Sequence, residues 1–162
     1  MITADAQSLP FQDCLFDFVL MFRVLEHIPC PDTALGEAKR VLRQGGWLYV
    51  GVPNKARLIG YLGSAHATLR QKIAWNMKDY TMRLRGRFEN SQGAHAGFEA
   101  RELSILLETY FRDVQLMTPS YLRWKYHDRL PRLLLDALLR PDIIYRVAPA
   151  HYALCRKEQS CR

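Results

Sequence analysis

Two short and nearly continuous apolar runs, FDFVLMF over residues 16–22 and WLYVGV over residues 47–52, frame everything else in this chain. Each has the length of a strand, and neither alternates polar with apolar side chains, so the pattern predicts strands buried on both faces of a parallel sheet, although a buried helix can look similar over so few residues. Between them, Leu35, Ala38, Val41 and Leu42 recur at the 3.6-residue period of a helix. Asp32 stands where it can cap that helix, and Gly45-Gly46 supplies a left-handed stop. Pro53 closes the second run. Strand, helix, stop, strand is the repeating unit of a doubly wound α/β domain, in which a helix crosses between parallel neighbours.

Downstream the pattern becomes more helical. Leu58, Leu62, Ala65, Leu69, Ile73, Met77, Tyr80 and Leu84 recur at steps of three or four, which predicts one amphipathic stripe, weakened in its first turns by Gly60 and Gly63. The stretch ENSQGAHAG over residues 89–97 has loop chemistry. Leu103, Leu106, Leu107, Tyr110 and Phe111 predict a further helix, and residues 114–117 a short strand. Residues 130–139 read as another helix, interrupted near its start by Pro131, and residues 152–155 as a last strand.

A chain of 162 residues with 49% hydrophobic content has room for one domain with an ordinary core. No apolar run approaches the ~20 residues of a membrane-spanning helix, and the first residues are not those of a secretory leader, so a cytoplasmic location is expected. Cys14, Cys30, Cys155 and Cys161 lack the spacing of a metal cage or a disulfide framework. The formal charge of +7 is unevenly spread: residues 55–90 carry a net +6 and residues 119–150 a net +3, whereas residues 1–54 and 91–118 are each net −2. Two basic helical insertions, 55–90 and 119–150, therefore stand out, either as solvated faces or as a surface for an anionic partner.

The ordered blocks Asp5-Ala6, Leu9-Pro10-Phe11, Phe16-Asp17-Phe18-Val19, Val24-Leu25-Glu26-His27-Ile28, Arg40-Val41-Leu42, Gly45-Gly46 and Val52-Pro53-Asn54 resemble the type 11 family of class I S-adenosylmethionine-dependent methyltransferases. The resemblance covers about fifty residues, with a weaker echo at His95-Ala96-Gly97-Phe98 and Phe111-Arg112-Asp113-Val114. It implies an α/β, Rossmann-like sheet of strand order 3-2-1-4-5-7-6, of which this chain would retain roughly the fourth to seventh strands together with helical insertions. It also implies S-adenosyl-L-methionine as cofactor, with Asp5 and Ala6 gripping adenine and the backbone of Met21, Phe22 and Arg23 facing the methionine portion. His27 is a candidate general base, because imidazole titrates near neutrality, and with Glu26 it is equally a fold signature. Some quinone-modifying relatives hold a metal through an acid three residues before the position of Glu26; here Arg23 stands there, so no metal is expected.

The resemblance further implies a glycine-rich turn after the first strand and an acidic ribose ligand, neither of which the sequence contains, so an N-terminally truncated, incomplete single domain over residues 1–162 is expected. The loss of its neighbours would leave residues 16–22 as an exposed sheet edge. The expected function is methyl transfer to a small-molecule or lipid-linked acceptor, with an anionic group on the acceptor compatible with the basic insertions. Tyr61, Tyr80 and His95 are the candidate acceptor contacts, alongside Trp75, Tyr121 and Trp124, each of which can equally be a helix-packing aromatic. The alternative is a non-catalytic module whose basic helices bind a membrane surface or, less in keeping with the sequence, nucleic acid.

Overall fold

The computed structural model describes residues 2–61, 64, 66–92 and 96–158. Among the described residues four strands form one sheet in the order β1 (Phe16–Phe22), β2 (Leu42–Pro53), β4 (Ala150–Arg156), β3 (Asp113–Leu116). β1 and β2 are parallel, while β4 runs antiparallel to both β2 and β3, so the chain ends of β1, β2 and β3 meet the start of β4 at one edge. This is the order expected for the last four strands of the Rossmann-like sheet. Six α-helices accompany them: α1 (Pro31–Val41), α2 (Leu69–Leu84), α3 (Ala100–Glu108), α4 (Thr118–Tyr126), α5 (Arg132–Leu138) and α6 (Pro141–Val147).

One face of the sheet carries the core. Met21, Leu48, Val50, Val52, Ala153 and Cys155 alternate inward along their strands and pack on Leu35 and Ala38 of α1 and on Leu103 and Leu107 of α3. Burial pushes the Cys155 thiol up to about 12, so it stays protonated and packs as a small apolar group. The opposite face departs from expectation. Phe18, Leu20 and Phe22 are 50–59% exposed, so β1, whose place at the edge of the described sheet is the expected one, is buried on one side only. The apolar run concealed this because a strand's sequence records its own hydrophobicity and not which layers cover it.

Three further expectations are corrected. Cys30 is the N-cap of α1, with Pro31 at its first position, and Asp32 sits in the first turn, where it accepts from the Tyr110 hydroxyl at 3.3 Å. Gly45-Gly46 is not a helix stop but a bulge within β2: from the pair Phe16/Leu42 to the pair Phe18/Trp47, β1 advances two residues and β2 five. Gly45 donates to the Lys157 carbonyl and Lys157 donates to that of Gly46, at 3.1 and 2.9 Å, which extends the pairing of β2 with the C-terminal strand. Lastly, helix begins at Leu69 instead of near Leu58, where the Thr68 hydroxyl and the Gln71 side chain form a reciprocal cap.

The stripe of α2 also faces the other way. Leu69, Ile73, Met77 and Leu84 are 56–90% exposed, and the buried side chain of the helix is Asp79. What turns the helix is polar. Asp79 accepts from Arg57 at 2.8 Å, Asn76 exchanges hydrogen bonds with the backbone of Gly60, and Arg83 donates to the carbonyls of Lys55 and Arg57. Leaving such groups unpaired in the interior costs more than exposing a few apolar side chains.

His151 introduces a pH dependence. It lies on β4, wholly buried, with neither ring nitrogen hydrogen-bonded among the described residues, and burial holds its pKa down at about 4 from 6.5. Between those values the unfolded chain takes up a proton that the folded chain refuses. Stability is therefore full above pH 6.5 and is lost as the pH falls toward 4. Urea midpoints taken at pH 7 and pH 4.5 are expected to reveal a loss of about 2–3 kcal/mol from this group, and His151→Leu is expected to flatten that slope. An unchanged slope in the variant would count against it.

Candidate functional site

The loop before β1 is fixed by one arginine. Arg40 of α1 donates to the carbonyls of Leu9 and Phe11 and to the carboxylates of Glu37 and Asp13, all between 2.7 and 3.0 Å. Glu37 in turn accepts from the Leu9 N–H, and hydrogen bonding from Arg40 holds its pKa at about 2. This clamp sets residues 9–13 and, through them, the turn at Asp5. There the Asp5 carboxylate accepts from the Gln7 N–H at 2.9 Å while remaining exposed, and Ala6 packs against the main core. Asp5 thus caps its own turn through Oδ1 and presents its charge to solvent.

At the carboxyl edge of the sheet lies a cleft of about 460 Å³. Phe22 and Arg23, where β1 ends, form one wall, with Tyr152 of β4 behind them; Tyr121 and Lys125 of α4 and Tyr61 face them, and Arg57 and Pro149 are also in the lining. Gly51 permits the approach, since a Cβ there would stand 2.7 Å from the Phe22 ring. The Arg23 N–H donates to the Gly51 carbonyl at 2.7 Å. Strand alternation therefore turns the N–H and C=O of Phe22 to the open side of β1. Arg23 holds φ at +54°, a left-handed conformation uncommon outside glycine, which turns the chain out of the strand.

Burial, reinforced by Tyr121, drives the Tyr152 hydroxyl far above the usual tyrosine range, so it serves as a hydrogen-bonding phenol and not as a base. The Tyr121 and Tyr152 rings lie 4.3 Å apart, and Lys125 sits 5.6 Å from the centre of the Tyr121 ring. Tyr61 donates to Asp79 at 3.2 Å and packs on Trp75 at 5.1 Å, so its ring is a braced wall. No carboxylate among the described residues pairs with Arg23 or Lys125, which leaves two uncompensated cations in the cleft.

The other candidates are scattered. His27 follows β1 in a single 3-10 turn, half exposed, with Nε2 at 3.8 Å from the Glu26 carboxylate; it does not line the cleft. Glu26 is buried with neither carboxylate oxygen hydrogen-bonded among the described residues. Tyr80 points away from the cleft and donates to the Leu58 carbonyl, pinning α2 to the segment after β2. Trp124 is 70% exposed. His95 lies outside the described residues. Met21 is buried under the strand, so only its backbone is available at the edge. Among the described residues no three His, Cys, Asp or Glu side chains gather as a metal site, and no helix is long and apolar enough to cross a membrane. Arg57, Lys125 and Tyr152 are the residues the sequence did not single out. Tyr152 carried a faint signal, as an aromatic in the last strand.

Residues 1–50 match the family model described as a methyltransferase domain. An uncharacterised protein of Methanocaldococcus jannaschii is 38% identical over 72 residues, 44% of this chain and 34% of that protein. The ubiquinone/menaquinone biosynthesis C-methyltransferase of Roseobacter denitrificans is 41% identical over 64 residues, 37% of this chain and 26% of the enzyme. The matched stretches thus span about a third or less of these relatives. Among solved structures, a Thermotoga maritima S-adenosylmethionine-dependent methyltransferase, described as a possible histamine N-methyltransferase, aligns over 97% of this chain and 63% of its own with a TM-score of 0.55 at 18% identity. The phosphoethanolamine N-methyltransferase 2 of Haemonchus contortus aligns over 96% of this chain and 36% of its own, with a TM-score of 0.50 at 19% identity. Likeness at this level is likeness of fold.

Proposed function

We propose that this chain contributes to S-adenosylmethionine-dependent methyl transfer onto a small-molecule or lipid-linked acceptor, since residues 1–50 match the family model described as a methyltransferase domain and the chain shares its fold with a solved S-adenosylmethionine-dependent methyltransferase. The observation that carries this reading is the cleft at the carboxyl edge of the sheet, where ligands of open α/β folds bind. Two groups suit the cofactor: Asp5, in the turn before β1, offers an exposed carboxylate to an exocyclic amine, and Phe22 at the sheet edge offers unpaired backbone to an amino acid moiety. Basic insertions 55–90 and 119–150 supply the cleft's walls and act as the acceptor region of a single domain.

The bound cofactor supplies an activated methyl group on a sulfonium. What remains for the protein is alignment of the acceptor's nucleophile in line with that methyl. Tyr61, Tyr121 and Tyr152 form a partly apolar wall that orients an acceptor and excludes water, with Tyr152 available as a hydrogen-bonding hydroxyl. His27, in the turn after β1 and outside the cleft's lining, is the proposed general base for an acceptor that must lose a proton.

Calorimetry with S-adenosylmethionine tests the cofactor half of this reading. Asp5→Ala removes one charged hydrogen bond, worth about 1.5–3 kcal/mol, and is expected to weaken binding by about tenfold to a hundredfold. Equal binding by the variant would remove Asp5 from the site. Failure of the unaltered chain to bind S-adenosylmethionine at millimolar concentration would overturn the reading for this chain.

A further inference from the structure

A second cavity, of about 340 Å³, lies beside the cleft and differs from it in chemistry. Leu122, Tyr126, Leu135, Leu139, Val147 and Pro149 line it, with Leu58 and Ile59 at its rim. It brings together α4, α5, α6 and the segment after β2, and it contains no charged side chain. Its volume falls in the range of small-ligand sites. Pro149 lines both the cavity and the cleft. Residues alternate between them along α4: Tyr121 and Lys125 face the cleft, Leu122 and Tyr126 the cavity.

Lys125 stands at the boundary. Its ammonium lies 5.6 Å from the centre of the Tyr121 ring and 5.5 Å from that of Tyr126, one ring belonging to each compartment. Arg23 adds a second cation on the cleft side, and neither has a carboxylate partner among the described residues. Arg57 also lines the cleft, but its charge is matched by Asp79 at 2.8 Å. A ligand that satisfies both compartments has an apolar chain joined to an anionic head. The chain removes the cavity's leucines from water, and the head meets the half-buried ammonium of Lys125, set beside two aromatic rings, and the exposed guanidinium of Arg23.

We propose that the acceptor is a single-chain anionic amphiphile, whose hydrocarbon tail occupies the leucine-lined cavity and whose head group lies in the cleft against Lys125 and Arg23. This rests on the methyl-transfer reading for the role of acceptor, but binding is measurable without cofactor. The probes are alkyl phosphates of eight, ten and twelve carbons, kept below their micelle concentrations, with inorganic phosphate and dodecanol as comparisons. The site then reports on the ligand as a monomer and not as a membrane surface.

Affinity for the 162-residue chain is expected to rise about fourfold for each added methylene until the cavity is full, and to exceed that for either comparison. Lys125→Met is expected to lower dodecyl phosphate affinity at least fivefold while leaving dodecanol affinity within twofold. Leu138→Trp, which fills the cavity from α5, is expected to abolish the chain-length dependence, its folding being checked by circular dichroism. Affinity independent of chain length, or inorganic phosphate binding as well as dodecyl phosphate, overturns the proposal. If S-adenosylmethionine binds normally in that case, the acceptor class alone has failed.

Discussion

Alanine at position 97 is expected to lower the unfolding free energy by about 4 kcal/mol. Gly97 holds φ at +84°, and a Cβ built on it would stand 1.8 Å from the Pro53 carbonyl oxygen. That oxygen accepts from the Phe98 N–H at 3.0 Å, in a bridge that joins Asn54 to Phe98. The chain cannot simply slide away, because the Asn90 side chain both donates to the Gly97 carbonyl and accepts from its N–H, at 3.0 and 2.8 Å. The left-handed conformation costs a side chain about 1–2 kcal/mol. Relieving the clash adds about 1–3 kcal/mol of strain or lost hydrogen bonds at about 1 kcal/mol each. Against a typical stability of about 5–15 kcal/mol such a loss is large. Urea unfolding of Gly97→Ala is the measurement, and a midpoint indistinguishable from that of the parent chain would contradict it.

That contact lies at the end of β2, where the cleft begins, and it shows which parts of the site a sequence can carry. Gly97 is legible as loop chemistry and as part of a weak family echo, but its need for a bare backbone is not, because that comes from Pro53, distant along the chain. By contrast, α1 and the strands on either side of it are written in local periods, and they form close to where those periods place them. The same holds for Phe22 and Arg23, whose place at the sheet edge follows from the end of an apolar run. Tyr152 belongs to the cleft because β4 pairs antiparallel with β2, setting it opposite Gly51. No local pattern in residues 150–156 states which strand they will pair with or which way they will run.

Burial was misread wherever polar partners lay far apart in sequence. The apolar stripe of α2 predicts its inward face by periodicity, yet the helix turns Asp79 inward because Arg57, which is fixed by the carbonyls of Asn54 and Ala96, needs a counter-charge. Asn54 likewise stands in the sequence only within the block Val52-Pro53-Asn54, but its amide donates to the carbonyls of Tyr145 and Ala148, 2.7 and 2.8 Å away, tying α6 to the end of β2. The segments around the cleft are therefore held by polar contacts between stretches that are each unremarkable when read alone.

Removing one of those contacts has the second large effect. Asp79→Ala is expected to cost about 3–5 kcal/mol, because Arg57, 5% exposed and packed near the Phe88 and Tyr61 rings, would keep its charge with no counter-ion. Two carbonyl acceptors remain to Arg57, but they cannot neutralise it. Tyr61 would lose its acceptor in the same step, so the cleft wall should loosen together with the helix. Removing both charges has a different outcome. In Arg57→Met with Asp79→Leu, neither group is left unsatisfied, and most of the lost stability is expected to return, since a buried ion pair gives little net stabilisation over apolar residues of similar volume. Denaturant midpoints for the two single variants and the double variant provide the cycle. If the double variant loses the sum of the two single losses, the pair carries no coupling and each side chain acts through its other contacts, Arg57 with the Asn54 and Ala96 carbonyls and Asp79 with the Tyr61 hydroxyl. If it recovers, the pair's main role is to fix which face of α2 turns inward, and with it the position of Tyr61 in the cleft.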